Sequence, residues 1–419
     1  MTEAKTNRKA LAFIFITVFI DVVGLGIIIP ITPKLIALLA HVNISDAARY
    51  GAWLSFVYAG MQFLGAPVIG NLSDRFGRRP VLIYALISIG VDYGITGWAP
   101  TIAWLFLGRF LSGMSGASYT TAAAYIADVS PPEKRAANFG LIGAAFGLGF
   151  IVGPALGGFL GEYSVRLPFF ASAGLAFANA LYGYIVLAES LPKERRRAFE
   201  FWRANPFGAL MALRRFPYVL PLCVVLMLTR VAHDASPATW TYYTMLKFHW
   251  STADVGWSLV AVGVITTAVY GGLTRIVIPR IGEVRAVYAG LVAGAIACVG
   301  YAFSAQGWML YAWMLPGALV GLASPALSAI MSREVAPTEQ GELQGAITSI
   351  GSLTSVVALL TMPYIFAYFT NAKAPIYFPG APFLTASLSL VLATAAFAIV
   401  RPRAINAPAV SQNDTGQQT

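Results

Sequence analysis

The fold is decided by the stretch Gly70-Asn71-Leu72-Ser73-Asp74-Arg75-Phe76-Gly77-Arg78-Arg79-Pro80, in the first quarter of the chain. It joins two long apolar segments and places three arginines and one aspartate in a very short connection. Charged side chains avoid the hydrocarbon core of a bilayer unless they are paired or hydrated. A connection this short and this charged therefore indicates a turn on one side of a membrane, between two helices that cross it.

The composition of the whole chain also indicates a membrane protein. Of its 419 residues, 58% are hydrophobic and 11% are charged, whereas soluble domains average roughly 25% charged residues. Apolar runs of about 20 residues recur, and each is long enough to cross a hydrocarbon core of about 30 Å as a helix. We predict an all-α membrane protein with twelve transmembrane helices, at residues 10–33, 49–70, 80–98, 101–127, 137–160, 167–188, 217–246, 252–275, 285–304, 308–332, 341–367 and 380–401.

Basic residues predict how the chain is oriented. If both termini lie in the cytoplasm, most lysines and arginines fall on the cytoplasmic side, as the positive-inside rule requires. This distribution predicts a multi-pass protein of the inner membrane and accounts for the net charge of +10 without a nucleic-acid partner. The expected partner is the lipid bilayer. The opposite side then holds only Lys34, Arg49, Arg166, Lys247 and Lys373.

A basic segment at residues 189–216 divides the chain into two halves of six predicted spans. It is typical either of an amphipathic helix on the inner membrane surface or of a solvated linker. We predict two pseudo-symmetric six-helix bundles, residues 1–188 and 217–403, with a disordered cytoplasmic tail at residues 404–419. Such bundles are related by an axis along the membrane normal and hold their substrate between them near the midplane.

The halves share a pattern of acids. Asp128 and Glu133 follow the fourth predicted span, and Glu334 and Glu339 follow the tenth at the same spacing. This weak internal repeat makes the four acids candidate gate residues.

The charged turn predicts a gate on the cytoplasmic side. Its aspartate and arginines can pair with each other and with open helix ends, and its glycines permit a sharp reversal of the chain. The alternative is an ordinary basic loop. The residues assigned to the gate are Gly70, Asp74, Arg75, Gly77, Arg78 and Arg79.

The fifth predicted span contains a run of glycines. Gly149, Gly153 and Gly157 recur every fourth residue, which predicts a smooth helix face for close packing, and Pro154 can kink the helix. Generic small-residue packing is the alternative. The full motif is Gly143, Gly147, Gly149, Gly153, Pro154, Gly157 and Gly158.

Charged side chains inside the N-terminal spans are candidates for proton coupling, because burial in a membrane is costly and is usually retained for function. Asp21, Asp92 and Arg109 lie at similar depths, about 12 to 17 Å from the starts of their spans at 1.5 Å per residue. They predict one cluster of two acids and a fixed cation. A purely structural ion pair is the alternative for these residues.

The seventh predicted span has a charged group of its own. Arg230, His233 and Asp234 are spaced i, i+3 and i+4, so they share one helix face. We predict that they line the substrate cavity or take part in proton coupling, with a structural role as the alternative. Aromatic residues that can line a cavity, or serve instead as packing and interface anchors, are Trp53, Tyr58, Phe63, Trp240, Tyr242 and Tyr243.

Several motifs resemble those of the major facilitator superfamily and, within it, the drug:proton antiporters of the tetracycline-efflux family. The turn from Gly70 to Arg79 is similar to the hallmark loop of the superfamily, and the glycine run ending at Gly158 is similar to its antiporter motif. Further segments that resemble the tetracycline-efflux family are Asp21-Val-Val-Gly24-Leu-Gly26-Ile-Ile-Ile-Pro30, Asp92-Tyr-Gly-Ile-Thr-Gly-Trp-Ala-Pro100, Gly108-Arg109-Phe and Ser349-Ile-Gly-Ser-Leu-Thr-Ser355.

The resemblance implies the exchange of a drug–metal chelate for protons, with essential acids at Asp21 and Asp92 and an arginine at Arg109. One departure concerns the ninth span, where efflux members have an aspartate and residues 290–298 of this chain contain no acid. The seventh span offers His233 and Asp234 instead. Either proton coupling has been relocated or the substrate differs.

We therefore expect a proton-coupled secondary transporter rather than an enzyme, functional as a monomer. The expected activity is export of tetracycline-like or other amphipathic small molecules by alternating access. The chain has no Walker loop and no cluster of metal ligands, so we expect no cofactor. The proton gradient would supply the energy, and the substrate would arrive free or as a metal chelate. Two alternatives stay open: a transporter of this fold for a metabolite, sugar or organic acid, and a receptor or scaffold that transports nothing.

Overall fold

The computed structural model describes residues 2–115, 118–131, 135–198, 219–335 and 339–406, and these residues contain helices and connections but no β-strand. The predictions for Glu133, for the linker beyond residue 198 and for the tail beyond residue 406 lie outside this part of the chain.

The described N-terminal half forms eight helices. Helix α3 begins where the side chain of Asn43 accepts a hydrogen bond from the backbone N–H of Asp46 (2.8 Å), an N-cap. It ends at Gly77, whose φ of 107° favours glycine, and α4 starts at the next residue. The helices are α1 Thr2–Ile28, α2 Thr32–Ala40, α3 Ile44–Phe76, α4 Arg78–Trp98, α5 Ile102–Ser115, α6 Ser118–Val129, α7 Arg135–Tyr163 and α8 Leu167–Val186.

The described C-terminal half also forms eight helices. Ser251 and Asp254 form a capping box that starts α10. A π-helical segment, Val269–Leu273, separates α10 from α11, and a 3₁₀ segment, Leu319–Leu322, separates α13 from α14. The helices are α9 Leu220–Phe248, α10 Thr252–Ala268, α11 Thr274–Ile281, α12 Glu283–Phe303, α13 Gly307–Ala318, α14 Ala323–Arg333, α15 Gln340–Thr370 and α16 Ala381–Asn406.

Ten helical segments of the described residues are long and apolar enough to cross a membrane. The other two predicted spans, the fourth and the seventh, coincide with α5 plus α6 and with α9. Helix α9 interrupts its apolar residues with Arg230, His233 and Asp234. The predicted all-α membrane fold is confirmed, and these helices are consistent with twelve spans. Large apolar side chains such as Ile185 and Ile399 are about 70% exposed, as a lipid-facing surface requires.

The helices pack into two halves that meet along two seams. Within the halves, α1 packs on α7 and α8, and α9 packs on α15 and α16. Between the halves, α7 packs on α10 and α3 packs on α15. We call the end of the molecule that carries Gly77 the motif end, and the opposite end, which carries Asn43, the far end. One buried apolar cluster combines Ile31 and Phe169 of the N-terminal half with Phe366 of the C-terminal half, so the halves share a core towards the far end.

Candidate transport site

The first seam between the halves is closed near the far end. The hydroxyls of Ser45 on α3 and Thr370 on α15 are hydrogen-bonded to each other. Further along the same seam, the Trp53 indole N–H donates to the hydroxyl of Tyr364 (2.6 Å). These bonds tie α3 to α15.

The second seam is closed at the same end. The Glu162 carboxylate, at the end of α7, accepts a hydrogen bond from the Thr252 hydroxyl and another from the backbone N–H of Ala253 (3.2 Å), at the start of α10. A Cβ atom on Gly158 would lie 3.3 Å from the Cα of Gly256, so the two backbones are in close contact. The space between the halves is therefore sealed at the far end. Hydrogen bonds close both seams, and glycine packing adds to the closure of the second.

Two adjoining cavities lie beneath this seal, of about 220 Å³ and about 180 Å³. Both are lined by Leu25, Tyr58 and Arg109. The larger cavity lies between the halves, because α9 contributes Thr241 and α15 contributes Leu359 to its lining. Together the cavities fall within the range of roughly 300 to 1,000 Å³ that is typical of small-molecule sites.

The structure brings the three charged residues of the N-terminal spans to the smaller cavity. Asp92 is 1% exposed, and its Oδ2 lies 3.6 Å from the Arg109 Nη2. The Thr96 hydroxyl donates to the other Asp92 oxygen (3.3 Å). The Arg109 guanidinium lies over the ring of Tyr58, 5.8 Å from its centroid. Asp21 lines the same cavity as Asp92 and Arg109. We call these residues the N-terminal cluster.

A second cluster lies on α9. The Arg230 Nε donates to Asp234 Oδ2 (3.2 Å) and to the Ser355 hydroxyl (2.9 Å), which in turn donates to Asp234 Oδ2 (2.5 Å). The His233 Nδ1 lies 3.0 Å from the other oxygen of Asp234. Asp234 is buried, whereas the side chains of Arg230 and His233 are about half exposed. We call these four residues the C-terminal cluster.

Both clusters offer the same chemistry. A buried carboxylate, Asp92 or Asp234, is neutralised by an arginine and held by a hydroxyl. Uptake of a proton would cancel the attraction to the arginine and change the net charge facing the cavity by one unit. Each cluster is therefore able to link protonation to cargo binding or to movement of the helices that hold it.

At the motif end, the charged turn is tied to its own half. Arg78 bridges Asp74 of α3 (2.7 Å) and Asp128 of α6 (3.1 Å). Glu189 accepts hydrogen bonds from the backbone N–H groups of Arg78 (2.8 Å) and Arg79 (3.3 Å), so it caps the start of α4. The sequence prediction did not include Glu189. Two other residues assigned to the gate make local contacts: Arg75 lies over the ring of Phe76, and Arg79 donates to the Tyr184 carbonyl. Gly70 makes no close contact at its Cβ position.

The C-terminal half has a pair in the corresponding place with the charges exchanged. Glu283, the first residue of α12, forms an ion pair with Arg333, the last residue of α14 (2.5 Å). In the N-terminal half the equivalent ion pair joins Arg78, at the start of α4, to Asp128, near the end of α6. The sequence prediction chose the neighbouring Glu334 and the exposed Glu339, and the structure records no ion pair for either of these two described residues.

The turn yields a first prediction. Asp74→Asn leaves Arg78 bonded to Asp128 and leaves the cap by Glu189 intact, so we expect folded protein with reduced transport. Protein yield and melting temperature should match the wild type, while the initial rate of transport falls several-fold. Glu194→Gln, an exposed acid nearby, is the matched control. Transport at the wild-type rate in Asp74→Asn would contradict a role of the charged turn in the transport cycle.

The glycines of α7 fall on two helix faces. A Cβ atom on Gly153 would lie 2.7 Å from the Val23 carbonyl oxygen of α1, and one on Gly149 would lie 2.8 Å from the Val22 side chain. These glycines, together with Gly157, pack within the N-terminal half. Gly147 instead faces Thr267 and Gly158 faces Gly256, both on α10, while Gly143 has nothing within 4 Å of its Cβ position. Pro154 contacts α1 at Gly26 and α10 at Gly256.

Among the described residues, no group of three or more histidine, cysteine or acidic side chains is arranged to hold a metal ion. The N-terminal cluster lines the smaller cavity, whereas the residues of the C-terminal cluster line neither cavity. Both clusters offer hydrogen bonds and ionic contacts. A helical membrane protein whose two halves close over a polar site is typical of a secondary transporter.

Comparison with known proteins identifies the family. The model of the Major Facilitator Superfamily matches residues 14–359 and 222–415. The chain is 39% identical to the class C tetracycline resistance protein of Escherichia coli, over 86% of this chain and 90% of that protein. It is 37% identical to the class G protein of Vibrio anguillarum, over 84% and 89%. The chain belongs to the major facilitator superfamily, in the family of the tetracycline resistance proteins, and is a transporter rather than an enzyme.

The fold agrees with a solved structure at lower sequence identity. The human organic anion transporter MFSD10 (TETRAN) superposes with a TM-score of 0.71 at 22% identity, over 93% of this chain and 99% of that one. This likeness shows the fold, and the family match makes the chain a multi-pass membrane transporter.

Proposed function

We propose that this protein exports tetracycline-like or other amphipathic drugs in exchange for protons. The observation that supports this most is the pair of buried carboxylates, Asp92 and Asp234, each held by an arginine in a different half of the molecule. Two such groups provide sites where protonation is able to alter the charge around a cargo. The similarity to tetracycline resistance proteins favours a drug as that cargo.

Alternating access is the mechanism that fits this arrangement. The seal at the far end closes one route to the cavities, and the side chains of Arg230 and His233 in the C-terminal half are about half exposed. Opening the far end requires the bonds between Ser45 and Thr370 and between Glu162 and α10 to break. Because these bonds lie along both seams, a rocking movement of one half against the other would release them together.

We further propose that the motif end faces the cytoplasm and that both termini lie there, in the inner membrane, as the basic residues predict. The proton gradient then drives transport without a cofactor. A metal ion enters only as part of a chelated cargo. A monomer suffices, because both walls of the cavity come from one chain.

Drug accumulation in cells tests this function. Cells that lack their own drug exporters should accumulate several-fold less tetracycline when they express this protein, and an uncoupler should abolish the difference. Glu194→Gln should behave as the wild type does. Equal accumulation in expressing and empty cells would contradict tetracycline export.

A second cargo class is favoured by one specific feature. Residues 290–298 of α12 contain no acid, and in the same half the guanidinium-bearing side chain of Arg230 is 47% exposed. An organic acid carried by the same mechanism is therefore the second candidate.

A further inference from the structure

Arg230 presents an unusual combination of anchoring and exposure. Its Nε makes both of its recorded hydrogen bonds, to Asp234 and to Ser355. The two terminal nitrogens have no hydrogen-bond partner among the described residues, and the side chain is 47% exposed. The guanidinium is thus fixed at one edge while its other nitrogens point away from its partners. Fixing one edge lowers the conformational cost of binding a ligand at the other.

The acid beside it is not available to a ligand. Asp234 is 5% exposed, and its two oxygens are engaged by Arg230, Ser355 and His233. Asp234 therefore neutralises the charge of Arg230 and orients its guanidinium through the hydrogen bond from Nε. The terminal nitrogens of Arg230, which have no partner among the described residues, are donors and suit an acceptor on the cargo.

The position of Arg230 continues the wall of the larger cavity. Arg230 and Asp234 are four residues apart on α9, and Ala238 and Thr241, one and two turns further along the same face, line that cavity. On α15, Ser355 is one turn from Leu359, which also lines it. Arg230 itself lines neither cavity. It lies eight residues from Ala238, about 12 Å along α9 at 1.5 Å per residue, so an elongated cargo would have to extend from the larger cavity towards it.

The neighbouring helix adds a second, independent feature. The π-helical segment after α10 contains Tyr270, which is 40% exposed and lies within electrostatic range of Arg230. Single π-helical turns inside α-helices occur frequently at functional sites. An exposed ring within electrostatic range of a fixed cation offers an apolar surface and a charge in one region.

We propose that Arg230 binds the ionised acidic group, a carboxylate or an enolate, of an amphipathic cargo whose apolar body rests against Tyr270. A guanidinium forms paired, planar hydrogen bonds with such a group, and a lysine ammonium does not. The proposal rests on the proposed function in one respect, namely that the cavity is the cargo site.

A matched pair of probes separates charge from shape. 2-Naphthoate and 2-naphthamide have the same ring and nearly the same size, but only the first carries an ionised carboxylate at neutral pH. A ligand that binds the folded state raises its apparent melting temperature. Purified full-length protein should be stabilised by 2-naphthoate in a dose-dependent manner and much less by 2-naphthamide.

Variants at Arg230 test whether this residue binds the carboxylate of 2-naphthoate. Arg230→Gln should weaken binding and raise the half-saturating concentration of 2-naphthoate at least about tenfold, as expected for the loss of hydrogen bonds to a charged group. Arg230→Lys should lie between Gln and the wild type. Arg285→Gln, which removes an exposed arginine near the start of α12, should leave binding unchanged.

Equal stabilisation by the acid and the amide, or no stabilisation by either, would overturn the proposal, and this comparison needs only the wild-type protein. Unchanged binding in a folded Arg230→Gln variant would also overturn it. The cell assay with tetracycline separates the two ideas. Acid binding through Arg230 without tetracycline export refutes the drug cargo alone, whereas export without acid binding refutes the role of Arg230 alone.

Discussion

Replacing Asp92 with asparagine is expected to abolish proton-driven transport. The substitution removes a buried carboxylate whose charge is matched by Arg109 and leaves no group at that position to take up a proton. The initial rate of tetracycline uptake into everted vesicles under an imposed pH gradient should fall at least about 100-fold, the cost of a few kcal/mol in a coupled step. Asp46→Asn, at the far-end start of α3, should retain transport.

A double variant separates coupling from folding. Asp92→Asn alone leaves Arg109 without its counter-charge, and breaking a buried pair in this way costs about 3 to 5 kcal/mol of stability. Adding Arg109→Gln should restore much of the melting temperature, because the arginine that lost its partner is removed as well. Transport should stay absent in the double variant. Recovery of transport together with stability would show that the pair is only structural.

The second large effect is expected from Gly157→Val. A Cβ atom at this position would lie 2.7 Å from the Ile27 carbonyl carbon and 2.8 Å from its Cα, and backbone atoms cannot move aside as a flexible side chain does. Overpacking a close contact costs about 1 to 3 kcal/mol or more, and here it separates α1 from α7. We expect little or no folded protein, measured as the monodisperse fraction after extraction in detergent.

Gly143→Val is the matched control on the same helix. Nothing lies within 4 Å of the Cβ position of Gly143, so the same side chain should be accepted there with a normal yield. Similar losses for both variants would contradict the assignment of separate packing roles to these glycines.

Hydropathy and charge spacing were sufficient for the overall fold and for much of the candidate site. The spans follow from the length of apolar runs, and the proximity of Asp92 and Arg109 follows from their equal depth in adjacent antiparallel spans. The pairing of Arg230 with Asp234, four residues apart on α9, follows from helical periodicity alone. These features depend on local geometry, which a single sequence contains.

What the sequence did not predict are contacts between distant segments. Ser355 is 121 residues from Asp234, and its hydroxyl reaches the carboxylate only because α9 and α15 pack together. The cap of α4 by Glu189 and the pair of Glu283 with Arg333 likewise depend on how helices lie against each other. The π-helical turn Val269–Leu273 was not predicted either. A single sequence holds no signal for such pairings beyond the presence of polar residues in apolar helices.

The central claim is that buried carboxylates couple proton movement to cargo movement, and proton flux in proteoliposomes tests it most directly. With an imposed pH gradient, addition of tetracycline to liposomes that contain the wild-type protein should start a proton flux, reported by a pH-sensitive dye in the lumen. Asparagine at positions 21, 92 and 234 together should eliminate that flux while the protein remains folded. A triple variant that exchanges tetracycline for protons at the wild-type rate would contradict the account.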